Sequence, residues 1–490
     1  MRRHELHMGL VAEQEKQAVK AKGWKPDVAA CGGSPRSSVE AWETQWSKGG
    51  DSFGLFTVTT SKWGRMSMKE TKSQPITKMM VWNAYRKVKA NKGSAGIDGE
   101  TIEAFDANLT DNLYKLWNRL ASGSYFPPPV MAVEIPKDGG KLRKLGIPTV
   151  ADRIAQTVVM DHLEPSVEPH FHPNSFGYRP NKSAHMAITQ ARTNCWKMKW
   201  VIDLDIKAFF DEIDHGLLMR ALGRHTSEKW VLMYVGRWLT APMATKDGKL
   251  EERSMGTPQG GVISPLLANL FLHYAFDEWM RIHHPQLPFE RYADDLIVHC
   301  RTKAEALAVF AQIEIRLAEC KLRLNPDKTR IVYCRDSDGK DPHPVVAFDF
   351  LGFTFRPRKC RRRDTGKLFL GFTPAVSRKS LKKMNQKLKE MAIHRASGCT
   401  IVQLAKRLNP TLRGWLNYYQ KYTPSALNWF FYRLNKRLVK WVRKTFKRFR
   451  TSEMKALGWL QEAARGDPSL FAHWKGGYMP EAATRMRRAV

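Results

Sequence analysis

The sequence predicts an α+β protein of several domains that ends in a helical, strongly basic part. Three observations support this class. The chain has 490 residues, enough for two to four domains, and 43% of them are hydrophobic, which allows a sizeable core. Short β-branched runs alternate with amphipathic helical patterns in the middle of the chain. Residues 356–450, in contrast, carry 27 Lys or Arg against two acids.

The charge balance restricts the partners. Lys and Arg number 81 against 47 Asp and Glu, which gives a net charge of +34 and a pI near 10. This excess favours a polyanionic partner, because each phosphate neutralised by Lys or Arg releases condensed counterions. A solubilising surface or an anionic membrane are weaker alternatives. The charged N-terminus is unlike a signal peptide, so we expect a cytoplasmic protein with no membrane partner.

The chain order of the elements follows from the spacing of apolar residues. Residues 1–72 have no sustained periodicity, and we expect a loosely ordered basic extension. The predicted elements are a helix from Thr77 to about Asn91, a strand from Trp200 to Ile206, a helix from Ile263 to Met280, a helix from Glu305 to Glu319 with an apolar face at Leu307, Phe310, Ile313 and Leu317, and a strand from Phe348 to Phe355.

The basic segment predicts an amphipathic helix that starts at Thr423-Pro424, with Thr as N-cap and Pro at the first helical position. Its apolar face is predicted to hold Leu427, Phe430, Phe431, Leu434, Leu438, Trp441 and Val442. Lys and Arg fill much of the rest, which indicates a packed helix with a cationic exterior and not a free tail. A basic amphipathic helix could also bind a membrane surface. The aromatic residues nearby could stack on unpaired bases or belong to a core, and both interpretations stay open. They are Trp415, Tyr418, Tyr419 and Tyr422.

Two acidic segments have the character of a phosphoryl-transfer site. One is Ile202 to Asp211, with Asp205 at its centre, and the other places Asp294-Asp295 between two apolar half-strands. In a hairpin the Asp-Asp pair falls at the turn, within reach of a neighbouring strand. Mg²⁺ prefers oxygen ligands, and paired ions assist phosphoryl transfer. A lone Asp-Asp pair is usually a solvated turn, so the specific signal is the ordered set of motifs.

That ordered set resembles reverse transcriptases, in detail the group II intron-encoded proteins, over about residues 75–475. The blocks that carry the resemblance are Ala95-Gly-Ile-Asp-Gly99, Lys144-Leu-Gly-Ile-Pro148, Ser175-Phe-Gly-Tyr-Arg-Pro180, Gly256-Thr-Pro-Gln-Gly-Gly261, Tyr292-Ala-Asp-Asp295, Leu324-Asn-Pro-Asp-Lys-Thr329, Phe350-Leu-Gly-Phe353, Leu412-Arg-Gly-Trp-Leu-Asn-Tyr-Tyr419 and Phe471-Ala-His-Trp474. The resemblance implies a right-hand polymerase followed by an all-helical thumb and maturase segment. The expected divisions are the extension at 1–72, fingers at 73–200, palm at 201–355, thumb and maturase at 356–460, and a short tail at 461–490.

The resemblance also implies the site residues. The catalytic carboxylates are Asp205, Asp294 and Asp295, which with the carbonyl of Ile206 would bind two Mg²⁺ ions, with Mn²⁺ as a substitute. The nucleotide pocket would include Phe210 as a gate against the 2′-hydroxyl, Gln259, Lys141, Arg143 and Lys328, although Phe210 could be a core residue and Lys328 a surface lysine. Intron RNA would contact Arg413, Arg433, Lys436, Arg437, Lys440, Arg443 and Lys444.

We therefore expect an RNA-directed DNA polymerase that copies a group II intron RNA and assists its splicing. Its expected partners are intron RNA, template RNA with a DNA primer, dNTPs and target DNA; a homodimer stays open. The metal-binding endonuclease of many relatives is not expected. The alternatives are a reverse transcriptase recruited to phage defence, a maturase without polymerase activity, and an RNA-copying RNA polymerase, which would carry a smaller residue than Phe210.

Overall fold

The structure, a computed structural model, describes residues 74–136, 142–337, 343–362 and 364–481. The predicted extension at 1–72 and Lys141 lie outside the described residues. The longer helices are α1 (Lys78–Asn91), α2 (Ile102–Ala107), α3 (Leu109–Ala121), α4 (Val150–Val167), α5 (Ala184–Lys197), α6 (Phe209–Glu212), α7 (His215–Leu222), α8 (Lys229–Thr240), α9 (Ser264–Leu272), α10 (Glu278–His283), α11 (Lys303–Glu319), α12 (Arg378–Glu390), α13 (Ile401–Tyr419), α14 (Asn428–Thr445), α15 (Glu453–Gly466) and α16 (Ala472–Lys475). The strands are β1 (Val130–Pro136), β2 (Leu142–Ile147), β3 (Trp200–Asp205), β4 (Met243–Ala244), β5 (Leu250–Glu251), β6 (Phe289–Tyr292), β7 (Asp295–Cys300), β8 (Arg330–Tyr333), β9 (Phe348–Phe350), β10 (Phe353–Arg361) and β11 (Leu368–Val376).

An antiparallel sheet in the order β6–β7–β3–β8, the central sheet, lies at the middle of the fold. Strand β3 forms where the sequence predicts it, and it pairs with β7 from Trp200 opposite Cys300 to Asp205 opposite Asp295. Val201 and Ile202 point to opposite faces and are both fully buried, in two different hydrophobic cores. The sheet is therefore covered on both faces, and the polar side chains buried within it are paired, as Glu290 is with His299 at 2.6 Å.

One of these cores packs the N-terminal helices and α8 against the central sheet. Helix α4 contributes Asp152, which is fully buried and accepts hydrogen bonds from Tyr125 Oη at 2.9 Å and Trp238 Nε1 at 2.8 Å. Burial raises the pKa of Asp152 to about 6, and the hydrogen bonds oppose that rise. Gln156, one turn along α4, accepts from the backbone N–H of Val262 at 2.7 Å. The helix therefore fixes the loop that precedes α9.

The prediction of one strand from Phe348 to Phe355 is wrong, because the chain turns in the middle of it. Leu351 and Gly352 both have positive φ, at 49° and 80°, and join β9 to β10 as a hairpin. A Cβ on Gly352 would lie 3.1 Å from Ser380 Oγ and 3.2 Å from Tyr419 Oη. Glycine is thus required both by the backbone conformation and by the close approach of α12 and α13.

Helices α12–α16 enclose a separate hydrophobic core, the C-terminal bundle. The apolar face predicted for the basic helix is confirmed, because all seven of its residues are buried. The predicted N-cap is wrong. Thr423 makes no capping bond; its Oγ1 donates to the carbonyl of Pro374 at 2.7 Å, a 3₁₀ turn spans Pro424–Leu427, and α14 starts only at Asn428. The hydroxyl is used to attach the bundle to β11 instead.

Two other helices differ from their predictions in detail. The predicted helix from Ile263 to Met280 contains a π-helical turn at His273–Asp277 and continues to His283. In α11 the predicted residue Leu307 is 50% exposed, and Ala306 and Val309 are buried in its place. Two adjacent rows of apolar side chains run along this helix, and either row could face the core. Packing against the central sheet buries the row with the smaller side chains. No helix in the described ranges is long and apolar enough to cross a bilayer.

Candidate active site

The Asp-Asp pair lies at the turn between β6 and β7, as the sequence predicts. Tyr292 pairs with Asp295, which leaves Ala293 and Asp294 as the two turn residues, and Ala293 has a φ of 55°. Asp205, the last residue of β3, is directly opposite Asp295 on the neighbouring strand. Opposed residues of antiparallel strands have Cα atoms about 4.5–5.5 Å apart. The sheet therefore brings carboxylates that are about ninety residues apart in the sequence to the same end of two paired strands.

The carboxylate of Asp205 is held by the segment that precedes β8. Lys328 Nζ lies 2.9 and 2.8 Å from its two oxygens, and Asn325 Nδ2 donates to it at 3.1 Å. The carbonyl of Asp205 accepts from the N–H of Asn325 at 2.8 Å. Of these contacts, sequence reasoning missed Asn325, although it stands in a motif that the resemblance includes. Lys328 forms an ion pair with Asp205, although its side chain is 52% exposed.

The carboxylates at this end of the strands repel each other electrostatically. Although solvent still reaches Asp295, loss of hydration and then the negative charges of Asp294 and Asp203 raise the pKa of Asp295 to about 7. Asp203, two residues before Asp205, contacts Arg330 at 3.1 Å instead. An all-oxygen cluster with mutual repulsion suits a hard divalent cation. Within the described ranges, no three His, Cys, Asp or Glu side chains are grouped closely enough to hold a metal ion.

A buried arginine supports the turn from behind. Arg291 and Asp277 are both fully buried and form a two-pronged ion pair, with Nε to Oδ1 at 2.7 Å and Nη2 to Oδ2 at 2.6 Å. The third nitrogen, Nη1, donates to Asn269 Oδ1 at 2.8 Å and to the carbonyl of Ala293 at 3.3 Å. Sequence reasoning missed this network, although an arginine within an apolar strand signals a buried partner.

The loop at Ser175–Pro180 packs against the same turn. Phe176 donates its N–H to the carbonyl of Arg291 at 2.8 Å, and a Cβ on Gly177 would lie 2.4 Å from the nitrogen of Ala293. Tyr178 follows with a φ of 54°. Burial and then the charge of Asp294 raise the pKa of Tyr178 to about 12, while Arg143 opposes that rise. Tyr178 is thus a neutral hydroxyl beside the carboxylates, which sequence reasoning missed.

Two of the predicted nucleotide-pocket residues, Phe210 and Gln259, are linked through one loop. The carbonyl of Phe210, five residues beyond Asp205, accepts from the N–H of Thr257 at 2.7 Å, and the carbonyl of Gln259 accepts from the N–H of Gly146 at 2.8 Å. The ring of Phe210 is half-buried, whereas its neighbour Phe209 is 2% exposed. The loop therefore connects the segment that follows Asp205 to β2.

Glycines allow this close stacking of loop on strand. Gly260 has a φ of +122°, and a Cβ there would lie 2.4 Å from the carbonyl oxygen of Gly146. On β2, Arg143 is exposed and pairs in register with Ile135 of β1. The adjoining Lys141 lies outside the described residues. Arg143 thus lies on the strand that carries Gly146, near enough to Tyr178 for its charge to oppose the rise in the pKa of that hydroxyl.

The cations predicted to bind RNA are all on the bundle, but their environments differ. Arg413, Arg433, Lys440 and Lys444 are exposed. The others are engaged within the chain: Lys436 is paired with Glu453, Arg443 donates to the carbonyl of Arg450 at 3.0 Å, and burial lowers the pKa of the partly buried Arg437. Four of the seven predicted cations are therefore open to solvent, and three are engaged within the chain.

The aromatic residues left open by the sequence pack inside the protein. Tyr418 Oη donates to the carbonyl of Leu351 at 2.8 Å, and Tyr422 Oη donates to the carbonyl of His185 at 2.8 Å. Trp415 packs edge-on against Phe430 with ring centroids 5.4 Å apart. Tyr419 lies against Phe353. The three tyrosines attach the bundle to the β9–β10 hairpin and to α5, and Trp415 packs within the bundle. These contacts favour the core interpretation.

Comparisons with known proteins agree with this geometry. Residues 135–355 match the reverse transcriptase (RNA-dependent DNA polymerase) family, and residues 381–458 match the group II intron maturase-specific domain. Protein YkfC of Escherichia coli (strain K12) is 34% identical over 305 residues, which cover 54% of this chain and 77% of that protein. The group II intron-encoded protein LtrA of Lactococcus lactis subsp. cremoris is 34% identical over 193 residues, 39% of this chain and 32% of LtrA. The matched part thus spans about a third of LtrA.

Proposed function

This chain belongs to the group II intron reverse transcriptase and maturase family, and from that membership we propose that it copies its intron RNA into DNA and assists the splicing of that RNA. Its reverse transcriptase domain is of the RNA-directed DNA polymerase type. The observation that carries the polymerase proposal is the register that sets Asp205 opposite Asp295, one residue from Asp294. A splicing-only protein would have no need to retain these carboxylates together.

Divalent metal use is general in this polymerase family, and two Mg²⁺ ions are our proposal for this chain. Asp205, Asp294 and Asp295, with the carbonyl of Ile206, would hold them. When bound, such ions activate the primer 3′-hydroxyl and stabilise the charge on the leaving pyrophosphate. The protein's part is to fix the carboxylates on paired strands, with Arg291 and Asp277 holding the turn rigid beneath them.

Lys328 has two tasks in this proposal. It neutralises Asp205 before the nucleotide arrives, through contacts of 2.8 and 2.9 Å. It then leaves that carboxylate to cations and donates a proton to the pyrophosphate oxygen released. A lysine within reach of the site on a flexible four-carbon stem suits both positions. Arg143 would hold the triphosphate from the β2 side, since a guanidinium matches phosphate oxygens with paired donors.

Phe210 would select dNTPs over NTPs. Its half-buried ring stands at the start of α6, next to the loop that holds Gln259, so a ribose 2′-hydroxyl over that face would meet the ring. The variant Phe210→Ala removes the obstruction, and we expect NTP incorporation to rise while dNTP incorporation continues. Phe209→Leu, one residue away in the core, is the matched control. An unchanged ratio of NTP to dNTP incorporation in Phe210→Ala would exclude the gate.

The right-hand division is also a proposal, with fingers at 73–200, palm at 201–355, thumb and maturase at 356–460, and a tail at 461–490. The bundle with its exposed cations would bind intron RNA, and the cleft over the carboxylates would take template RNA with its DNA primer. Target DNA would be the acceptor for integration. A cationic surface on a packed helix suits this role, because it binds phosphates without losing its fold.

Primer extension tests the polymerase proposal. Asp294→Asn keeps the size and shape of the side chain and removes its charge, and we expect extension of a DNA primer on an RNA template to fall by at least a hundredfold. Asp203→Asn is the control, because Asp203 lies on β3 two residues before Asp205 but is paired with Arg330. Binding of intron RNA should be unchanged in both variants. Equal extension by wild type and Asp294→Asn would refute the polymerase site.

A further inference from the structure

One aromatic pair is exposed on the basic helix. Trp429, in the first turn of α14, is 59% exposed to solvent. Its ring stacks on that of Tyr432, with centroids 5.2 Å apart and planes inclined by 20°. The guanidinium of Arg433 lies 5.9 Å from the Trp429 ring. A large apolar side chain left open to water on an otherwise cationic surface lacks an explanation from the packing of the bundle.

Trp429 shares its face of α14 with the cations. Positions three and four residues apart fall on the same side of a helix. From Trp429 this spacing runs through Arg433, Lys436, Lys440 and Lys444, a distance of about 22 Å at 1.5 Å per residue. The opposite side is fully occupied by the bundle core, where Phe430, Phe431, Leu434 and Leu438 are buried. The exposed strip is therefore an aromatic platform at one end and a line of positive charge at the other.

We propose that Trp429 and Tyr432 form a stacking platform for an unpaired nucleotide of RNA, whose backbone continues along Lys440 and Lys444. Every base has a π-face that stacks on an aromatic ring, and an arginine plane adds to such sites. In a duplex the base faces are occupied by neighbouring pairs, so the platform favours a single-stranded loop or bulge. The inference rests on the proposed RNA-binding role of α14 and adds the subsite that distinguishes unpaired from paired RNA.

A lipid surface fits this strip less well. An amphipathic helix binds a bilayer through its apolar face, and the apolar face of α14 is buried in the bundle. A single tryptophan pair among lysines and arginines instead offers stacking to a base and charge to its phosphates. The charges on the strip also disfavour a basic protein partner, since the chain carries only two acids between residues 356 and 450.

The test uses the full chain with its polymerase cleft filled by an RNA/DNA primer–template. The affinity of a fluorescent single-stranded oligouridine of about 12 nucleotides is compared with that of an RNA duplex of the same length. Base–aromatic stacking predicts that Trp429→Leu weakens single-strand binding by about 5- to 150-fold and leaves duplex binding unchanged. Trp429→Phe keeps a ring and should restore most of the affinity. Met454→Ala, at a residue 72% exposed on α15, is the control and should bind as wild type does.

Photocross-linking locates the contact. A 5-iodouridine oligomer should form its adduct in the tryptic peptide from Tyr422 to Arg433, at Trp429 or Tyr432. Single-strand affinity of Trp429→Leu within about twofold of wild type, or an equal loss for both RNAs, overturns the platform. The double variant Lys440→Glu with Lys444→Glu separates the two levels of the proposal. If the double variant binds RNA as wild type does, the proposed RNA-binding role of α14 is wrong. If the double variant weakens binding and Trp429→Leu does not, the role of α14 stands and only the stacking inference is wrong.

Discussion

The buried ion pair beneath the Asp-Asp turn offers the sharpest test of how the fold supports the site. Replacing Arg291 by methionine removes both prongs to Asp277 and the bond to Asn269, at 2.7, 2.6 and 2.8 Å. Because both charged groups are fully buried, the variant leaves an uncompensated carboxylate in the core. Removing one partner of such a pair lowers the free energy of unfolding by about 3–5 kcal/mol. That is a large share of a stability of about 5–15 kcal/mol.

The assay is guanidinium unfolding followed by fluorescence, with primer extension measured on the same preparations. Arg281→Met is the matched control: Arg281 makes a similar two-pronged pair with Glu278, but on the surface with its side chain 57% exposed. Solvent screens an exposed pair, so this control should unfold almost as wild type does. Adding Asp277→Asn to Arg291→Met should recover part of the loss. A loss below about 1 kcal/mol in Arg291→Met would refute the assigned role of the pair.

The remaining predictions concern the loop and the bundle. Gly260→Ala places a Cβ 2.4 Å from the Gly146 carbonyl oxygen at a φ of +122°. The strain should lower the stability of the folded loop by about 1–3 kcal/mol and raise the KM for dNTP. Gly248→Ala is the control, because that residue has a φ of +78° with open space around it, and its KM should be unchanged. Burial lowers the pKa of His473 to about 3. In the unfolded chain the imidazole has a pKa of about 6.5. The free energy of unfolding is therefore independent of this group above about pH 6.5 and decreases below it, by about 2 kcal/mol at pH 5, because only the unfolded chain takes up the proton. His473→Gln should remove that part of the pH dependence in unfolding midpoints, and an unchanged slope would contradict it.

Local sequence was sufficient for the elements that carry the carboxylates. Alternation of apolar and acidic residues predicted β3, and an Asp-Asp pair between two apolar half-strands predicted the turn after β6. The apolar stripe of α14 was also predictable, because seven residues at helical spacing leave one consistent face. In each case the pattern and the tertiary structure require the same arrangement.

Other features depend on contacts between distant segments, which no local pattern encodes. Thr423 has the character of an N-cap but bonds to Pro374 instead, and the hairpin at Leu351-Gly352 is set by the approach of two helices. The contact of Asn325 with Asp205 joins residues 120 positions apart. In α11 only Leu307 was placed wrongly on the buried face, since Ile313 and Leu317 are buried as predicted. Two adjacent rows of apolar residues have similar hydrophobicity there, and only the facing sheet distinguishes them.

Counting bound Mn²⁺ by electron paramagnetic resonance tests the central claim most directly. With a primer–template and a non-hydrolysable dNTP, we expect two ions per wild-type chain and at least one fewer in Asp205→Asn. Asp203→Asn should still bind two, because its carboxylate is committed to Arg330. Two ions retained by Asp205→Asn would contradict the proposal that the paired strands β3 and β7 build the metal site of this polymerase.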